Sequence, residues 1–343
     1  MNAVRLVSHG APGKFEIGEV ENPRPSPEEV VVRVEACGLN RLDLWLEEGT
    51  LPLLLHLPRI PGAEIAGQIE QLGEDVDDWR IGDRVAVQSN LFCGFCEYCL
   101  RGEEGLCLHG VLLGVERDGG FAQKVAVPSR ALVALPPEVS YETSAALTLA
   151  GSTAMHMLTN RGEVRSADWV LVIAGASGVG SAAIQIAKQL GANVISTGST
   201  AAKRDLALKL GANHALDSND EAWPSKVRQI TQKRGVDLVI EHVGGKTLEQ
   251  AFKCLSRGGV IVTCGATAGR EITVNLWPFF VKQQQLIGSY SRTRVDMRAT
   301  LEWAAAGKIK PVIDRVYPLE KTEEAFAALR GREVLGKVLI KPN

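Results

Sequence analysis

The sequence is poor in aromatic residues and carries almost no net charge. Phenylalanine, tryptophan and tyrosine make up 5% of the 343 residues, and the formal net charge is -2 at pH 7. No block of lysine and arginine stands out, so the chain lacks the electrostatic footprint with which proteins bind nucleic acid or anionic lipid. We therefore expect a small-molecule partner, with no nucleic acid and no membrane involved.

Long apolar runs are also missing. The most apolar loop, LPLLLHLPRIPG at 51–62, is interrupted by prolines, His56 and Arg59 and falls short of the roughly 20 residues that a membrane span needs. The first ten residues lack the charged start, apolar core and cleavage site of a signal peptide, and they predict a strand. We therefore expect a soluble, cytoplasmic protein.

What the sequence does contain is ordinary globular composition, with 45% hydrophobic residues and 35 glycines, over a length that suits two medium domains. From residue 1 to about 135, short β-rich runs such as EVVVRVEACGL and EIAGQIEQLG are separated by glycine and proline. This pattern predicts an irregular, all-β module.

The pattern changes after that point. A helical stretch at 141–161 leads into alternating apolar strands and amphipathic helices, from WVLVIA at 169–174 to VIVTCG at 260–265. This alternation predicts an α/β fold with a parallel sheet covered on both faces. The tail carries two helical segments and the strand GKVLIKP, and periodicity alone does not decide which of the two domains it completes.

A glycine-rich turn follows the first of these strands and opens a helix. It reads GASGVG and supplies five candidate cofactor-binding residues: Gly175, Ser177, Gly178, Val179 and Gly180. Glycines let the backbone approach a pyrophosphate, whose charge then lies at the positive end of the helix. The motif is a variant of GxGxxG because serine holds the second glycine position, and a simple tight turn has the same glycines. The surrounding alternation favours dinucleotide binding.

The end of the second strand indicates which dinucleotide binds. A site specific for NAD places an acidic residue about 20 residues beyond the glycine turn, and none is found near Gly198. Hydroxyl donors and positive charge stand there instead, on Ser199, Thr200, Lys203 and Arg204. We therefore expect NADPH as cofactor, with solvated cations on a helix face as the alternative for the two basic residues.

Four of the seven cysteines lie in one short loop, CGFCEYCLRGEEGLC. Cys93, Cys96 and Cys99 are each separated by two residues, and Cys107 follows after seven more. Four thiolates close a tetrahedral shell around zinc and leave no position open for water or substrate. The loop therefore predicts one structural Zn²⁺ ion per chain, because disulfides are rare in the cytosol.

Together, the β module, the cysteine loop, the GASGVG turn and the ending GKVLIKP resemble the medium-chain dehydrogenase/reductase superfamily of zinc alcohol dehydrogenases and quinone oxidoreductases. The resemblance implies a GroES-like catalytic domain at 1–149, a Rossmann NADP-binding domain at 150–288, and a C-terminal segment at 289–343 that completes the catalytic domain. It also implies a homodimer, built partly on the edge strand near LIGSY.

The chain departs from that family at the second, catalytic zinc. Zinc alcohol dehydrogenases hold this ion with residues in three stretches, and here the three ligand positions are Asn40, Ala63 and Leu149. None of these forms a tight zinc bond. The stretch Asn40-Arg-Leu-Asp43 also resembles the N-x-x-D segment of zinc-free quinone and enone reductases in the superfamily.

The expected activity is therefore an NADPH-dependent reductase of quinones, enones or other activated C=C bonds, because such acceptors spread the charge that zinc otherwise stabilises. Two alternatives remain open: a zinc alcohol dehydrogenase with atypical ligands, and a non-catalytic NADPH-binding protein. The resemblance assigns Asn40 to a hydrogen bond near the substrate oxygen and Asp43 to orienting the local network, with capping or turn formation as the alternative for both. It places further residues at the cofactor: Arg41, Thr153, Val243, Cys264, Gly265, Gly288 and Lys337.

Overall fold

The computed structural model describes all 343 residues, and the chain divides into two compact units. The first comprises Met1–Ser152 and Ser291–Asn343, and the second comprises Thr153–Tyr290. The predicted boundaries were placed after residues 149 and 288. No helix of the structure has both the length and the apolar character required to cross a membrane.

The elements of the first 156 residues are mostly short strands. They are β1 (Asn2–Ser8), β2 (Lys14–Glu19), β3 (Glu29–Leu39), α1 (Arg41–Glu48), β4 (Glu64–Leu72), β5 (Arg84–Val87), β6 (Asn90–Leu91), α2 (Glu97–Leu100), β7 (Val111–Leu112), β8 (Lys124–Pro128), β9 (Leu132–Ala134), α3 (Tyr141–Leu147) and α4 (Ala150–His156).

Strands and helices alternate in the rest of the second unit. They are β10 (Trp169–Val172), α5 (Gly178–Gln189), β11 (Asn193–Gly198), α6 (Ala201–Lys209), β12 (His214–Asp217), α7 (Trp223–Ile230), β13 (Val236–Glu241), α8 (Gly245–Phe252), β14 (Leu255–Thr263), α9 (Leu276–Val281) and β15 (Gln285–Gly288). The tail adds α10 (Arg294–Ala305), β16 (Ile313–Pro318), α11 (Thr322–Arg330) and β17 (Lys337–Lys341).

The first unit is built on a seven-stranded sheet in the order β16-β17-β3-β4-β5-β9, with β8 also paired to β3. The C-terminal strand β17 pairs antiparallel with β3, so that Val338 lies opposite Leu39. The tail therefore returns to the β module, which answers the question that periodicity left open. This pairing brings the start of β17 to the end of β3.

The second unit contains a six-stranded parallel sheet in the order β12-β11-β10-β13-β14-β15. Its central strands are buried on both faces, as their continuous apolar runs require. The predicted combination of a GroES-like β domain and a doubly wound parallel sheet is confirmed. The strand order reverses between β10 and β13, which is the point where ligands bind in open parallel sheets.

The predicted helical stretch at 141–161 is interrupted in the structure. Helix α3 ends at Leu147, α4 begins at Ala150, and the segment Met157–Arg161 forms a wider π-helical turn. The interruption has a local cause, because the Glu64 carboxylate accepts hydrogen bonds from the backbone N–H groups of Leu149 and Ala150. A side chain from β4 thus accepts hydrogen bonds from the backbone N–H groups at the start of α4.

Candidate functional site

The four cysteine sulfur atoms of the loop at 93–107 converge on one point. All four lie within 4.8 Å of one another. Backbone N–H groups surround them: Cys93 N donates to Cys107 Sγ at 3.2 Å, and Cys96 N donates to Cys93 Sγ at 3.3 Å. Hydrogen bonds of this kind stabilise thiolates, and the N–H groups of Cys99 and Leu108 lower the pKa of Cys96 to about 6. The donor set fits a structural zinc ion.

A second polar group, the Lys337 cluster, consists of Asn40, Asp43, Glu64 and Lys337. The Lys337 ammonium lies 2.7 Å from Glu64 Oε2 and donates to Asn40 Oδ1 at 2.6 Å and to the carbonyl of Leu39 at 2.9 Å. The Lys337 side chain is 5% exposed and that of Glu64 is fully buried. The pairing of β17 with β3 creates this contact between residues almost 300 positions apart.

The Lys337 cluster occupies the region where the family resemblance places the catalytic zinc ligands. Glu64 connects two of the three ligand positions, because its Oε2 accepts from Asn40 Nδ2 at 3.0 Å and its Oε1 accepts from Leu149 N at 2.6 Å. The third position, Ala63, precedes Glu64 and is fully buried. The structure therefore brings the three positions together around a lysine–glutamate ion pair.

Lys337 and Asn40 have little hydrogen-bonding capacity left in this arrangement. An ammonium group has three hydrogens, and Lys337 has three acceptors within the protein. Both amide hydrogens of Asn40 are also used, on Glu64 and on the carbonyl of Gly38. The contact of Lys337 with cofactor phosphates stays a prediction, and it would require one of the three bonds of Lys337 to break. A substrate contact by the Asn40 amide would require one of its own bonds to break.

Asp43 holds the backbone around the cluster. One carboxylate oxygen accepts from Asn40 N at 2.8 Å in the capping box of α1, and the other accepts from Gly62 N at 3.0 Å. Burial raises the pKa of Asp43 to about 6, although these hydrogen bonds and Lys337 lower it. The structure thus shows Asp43 in a helix-capping position, and its orienting role at a substrate stays a prediction.

Arg41 follows Asn40 as the first residue of α1. Burial of its guanidinium and the nearby positive charge of Arg332 both lower the pKa of Arg41. Two positive charges placed near each other are stabilised by an anion. The charge of Glu48 acts in the opposite direction, and the pyrophosphate contact of Arg41 stays a prediction.

The glycine turn in the second unit is closely packed. A Cβ atom on Gly175 would lie 2.0 Å from Ser196 Oγ, and one on Gly180 would lie 2.4 Å from the carbonyl oxygen of Ala174. A larger residue at Gly180 would collide with the backbone of the turn, and one at Gly175 would displace the side chains of Ser196 and Ile184. Gly178, Val179 and Gly180 form the first turn of α5, and Ser177 is its N-cap, accepting from Gly180 N at 3.0 Å.

A histidine that sequence reasoning missed lies beside this turn. His242 follows β13, and its Nε2 lies 2.9 Å from Ser177 Oγ. Burial lowers the pKa of His242 to about 4, so the ring is neutral at pH 7. Its position in the sequence could have indicated a role at the cofactor. It lies directly after the apolar strand VDLVIE and before Val243, a predicted cofactor-binding residue.

The basic residues near the end of β11 have partners within the second unit. Arg204 Nη1 lies 3.0 Å from Asp217 Oδ2 and donates to the carbonyl of Gly198. Thr200 is the N-cap of α6 and accepts from Lys203 N. Ser199 is exposed, and its carbonyl accepts from Asn219 Nδ2 at 2.7 Å. Asp217, at the end of β12, is a second residue that the sequence reading missed.

The remaining predicted cofactor residues lie where adjacent strands end. Residues Glu241, Thr263 and Gly288 are neighbours across β13, β14 and β15, so Val243, Cys264, Gly265 and Gly288 share one edge of the sheet. Burial raises the pKa of Cys264 to about 12, which makes it an inert thiol. Thr153 lies in α4 and is 8% exposed. Its predicted nicotinamide contact stays a prediction.

Two family matches cover most of the chain. Residues 26–137 match the alcohol dehydrogenase GroES-like domain, and residues 178–306 match the zinc-binding dehydrogenase family. The chain belongs to the medium-chain dehydrogenase/reductase superfamily. Like the other members of this superfamily, it is an oxidoreductase with a GroES-like domain and a Rossmann-like parallel sheet.

Individual members of the superfamily are similar over nearly the whole length. An alcohol dehydrogenase of Geobacillus stearothermophilus is 34% identical over 331 residues, which cover 95% of this chain and 96% of the relative. An acryloyl-coenzyme A reductase of Sulfurisphaera tokodaii is 32% identical over 339 residues, covering 98% and 99%. A crystal structure of an NAD-dependent alcohol dehydrogenase aligns over the whole of both chains with a TM-score of 0.96 and 37% identity.

Proposed function

We propose that this oxidoreductase uses NADPH to reduce an activated C=C bond, such as that of an enone, a quinone or a related conjugated acceptor, without a catalytic metal. The observation that carries the proposal is the Lys337 cluster. The positions that would hold a catalytic zinc are an amide, a methyl group and an isobutyl group, and an ammonium lies within 3 Å of the nearest carboxylate.

The cluster offers zinc no suitable ligand set. Zinc binds sulfur, imidazole nitrogen and carboxylate oxygen, usually with four ligands in a tetrahedral shell. Near Asn40 the groups of this kind are the carboxylates of Glu64 and Asp43 and the thiol of Cys37. Both carboxylates already accept hydrogen bonds from backbone N–H groups, and burial raises the pKa of Cys37 well above its ordinary value, which keeps the thiol protonated. A zinc ion bound to Glu64 would also have to displace the Lys337 cation.

A conjugated acceptor suits a site of this kind. When bound, NADPH supplies a hydride. The negative charge that then develops on a conjugated acceptor spreads to a carbonyl or quinol oxygen, where ordinary hydrogen bonds are sufficient. A simple alkoxide concentrates the charge and needs a Lewis acid. Acryloyl-coenzyme A reductases among the relatives support a conjugated C=C acceptor.

The second unit has the features that a dinucleotide needs. The glycine turn lets the backbone approach a pyrophosphate, and the site lies where the strand order reverses. Lys203 and Arg204 at the start of α6 favour the 2′-phosphate of NADPH. The NAD-dependent alcohol dehydrogenase among the similar structures makes NADH the competing coenzyme.

The test of the activity is coenzyme oxidation with a panel of acceptors. We expect NADPH oxidation with an enone, a benzoquinone or an acryloyl thioester, unchanged by a chelator that leaves the structural zinc in place, and one zinc per chain by metal analysis. Two zinc ions per chain with metal-dependent alcohol oxidation would instead identify a zinc alcohol dehydrogenase. Tight NADPH binding without turnover of any acceptor would identify a binding protein.

The coenzyme preference is tested by binding. Lys203→Ala should weaken NADPH binding about 10-fold and change the affinity for NADH by less than about 2-fold, since a single charge-assisted contact to the 2′-phosphate is lost. Asp217→Asn removes the ion pair with Arg204 and should increase the affinity for NADPH. Lys209→Ala, at the far end of α6, is the control. An equal loss of NADPH and NADH affinity in Lys203→Ala would contradict the preference.

We also propose that the protein is a homodimer that uses the edge strand β15. This strand lies at one end of the sheet, and its surroundings expose several large apolar side chains: Leu276, Trp277, Phe280, Val281, Leu286 and Tyr290. An unpaired sheet edge with exposed apolar groups favours pairing with a second chain.

A further inference from the structure

The imidazole of His242 has a nitrogen that the protein leaves without a partner. Its Nε2 lies 2.9 Å from Ser177 Oγ. Its Nδ1 is shielded from solvent and has no hydrogen-bond partner within the protein. Shielded polar atoms are almost always paired, so an unpartnered one needs an explanation, and a ligand that binds there is one.

The bonds around Ser177 indicate which nitrogen of the ring is protonated. Ser177 Oγ already accepts the N–H of Gly180 at 3.0 Å. Its single hydroxyl hydrogen finds an acceptor if it is donated to His242 Nε2, and this arrangement satisfies both groups. A neutral imidazole that accepts at Nε2 carries its proton on Nδ1. The unpartnered atom is then an N–H donor.

The Ser177–His242 hydrogen bond crosses the point where ligands bind in this type of sheet. Ser177 belongs to the turn after β10, and His242 follows β13, the neighbouring strand on the other side of the strand-order reversal. Ligands of open parallel sheets lie outside the carboxyl ends of the strands at such a switch point. The Ser177–His242 pair therefore lies at the edge of the sheet where a dinucleotide backbone is expected.

We propose that His242 Nδ1–H donates a hydrogen bond to a phosphate or ribose oxygen in the part of the dinucleotide that NADH and NADPH share, and that Ser177 fixes the tautomer that makes this possible. The inference rests on the dinucleotide binding proposed above. It differs from the role of Lys203, because His242 contributes equally to both coenzymes.

Two substitutions distinguish the contribution of His242 Nδ1 from that of His242 Nε2. In His242→Asn the amide lies near the former Nδ1, and in His242→Gln it reaches towards the former Nε2. If the proposal holds, His242→Gln weakens NADPH and NADH about 10-fold each, as expected for the loss of one hydrogen bond to a charged or polar ligand group. His242→Asn keeps both affinities within about 3-fold. The melting temperature should show the reverse order, because only the glutamine can keep the bond to Ser177.

The binding titrations follow the fluorescence of the reduced nicotinamide, with Lys203→Ala as the control that affects NADPH alone. Wild-type affinity in both His242 variants, or a greater loss in His242→Asn, overturns the proposal. Failure of the wild-type protein to bind either coenzyme refutes the proposed function instead.

A measurement on the wild-type protein avoids any folding defect of the variants. Nitrogen-15 NMR of histidine-labelled protein reports the tautomer directly. We expect a protonated Nδ1 and an unprotonated Nε2 at His242, with a shift of the Nδ1 resonance when NADPH is added. The opposite tautomer, or no shift at saturating NADPH, overturns the proposal.

Discussion

Lys337 and Glu64 form an ion pair that is almost completely removed from water. Charges in such a place are costly unless each has hydrogen-bond partners besides the opposite charge. Here each has them: Lys337 also binds Asn40 and the Leu39 carbonyl, and Glu64 also binds two backbone N–H groups. The pair therefore holds β17, β3 and the start of α4 in one arrangement.

Removing one member of this pair should be strongly destabilising. Lys337→Met leaves the Glu64 carboxylate buried without its cation, and we expect the free energy of unfolding to fall by about 3–5 kcal/mol. Lys341→Met is a matched control on the same strand, because Lys341 pairs with Glu142 in a partly exposed position. That change should cost at most about 1 kcal/mol. Equal effects in chemical denaturation would contradict the buried-pair interpretation.

Asp43 makes the free energy of unfolding depend on pH. The folded-state pKa is raised from 3.8 to about 6 by burial, so between these values the folded chain binds a proton that the unfolded chain has lost. Stability from this group is therefore lost as pH rises from about 4 to about 6, by up to about 3 kcal/mol. The charges acting on it are Lys337, which lowers the pKa, and Glu64, which raises it.

Substitution of Asp43 isolates this contribution. The side chain introduced by Asp43→Asn cannot ionise. In contrast to that of the wild-type protein, the unfolding free energy of this variant should therefore not fall between pH 4 and pH 6. Denaturation at several pH values measures both slopes. Parallel curves for the two proteins would show that Asp43 titrates at its ordinary pKa.

At the level of elements, the loop at 93–107 has little regular structure of its own. It contains the four-residue helix α2 and a short 3₁₀ turn, and Phe95, Leu100 and Leu106 are exposed. Such a segment buries too little apolar surface to order itself, and a metal that joined four of its side chains would supply the missing stabilisation.

Loss of one zinc ligand should therefore affect structure before chemistry. Cys96→Ser is expected to release the zinc and lower the melting temperature by roughly 5–10 °C, which corresponds to a few kcal/mol. Cys254→Ala removes a buried cysteine outside the loop and should keep one zinc per chain. Full zinc content in Cys96→Ser, measured by metal analysis, would contradict the assignment.

At the level of the whole molecule, the proposed homodimer uses the edge strand β15. We expect the protein to sediment at twice the 36.9 kDa chain mass. Leu286→Asp places a charge on the exposed edge and should yield monomers, whereas Leu208→Asp, at an exposed position on α6, should not. A dimer that survives Leu286→Asp would place the interface elsewhere.

The sequence by itself determined the local features. The cysteine spacing predicted a loop whose four sulfur atoms converge, and the alternation of apolar strands and amphipathic helices predicted the parallel sheet, because metal-ligand spacing and burial both act over short stretches of chain. The glycine turn was recognisable for the same reason. The residues at the expected ligand positions of a catalytic zinc could also be read at single positions, namely Asn40, Ala63 and Leu149.

Only the tertiary structure decided which distant residues meet. Lys337 was expected at the cofactor, yet the antiparallel pairing of β17 with β3 directs its charge to Glu64 and Asn40. His242 and Ser177 meet because β13 lies beside β10, although α5, β11 and β12 separate them in the chain. Strand order and register set such contacts, and no short stretch of sequence encodes them, because each depends on free energy gained by packing the whole sheet.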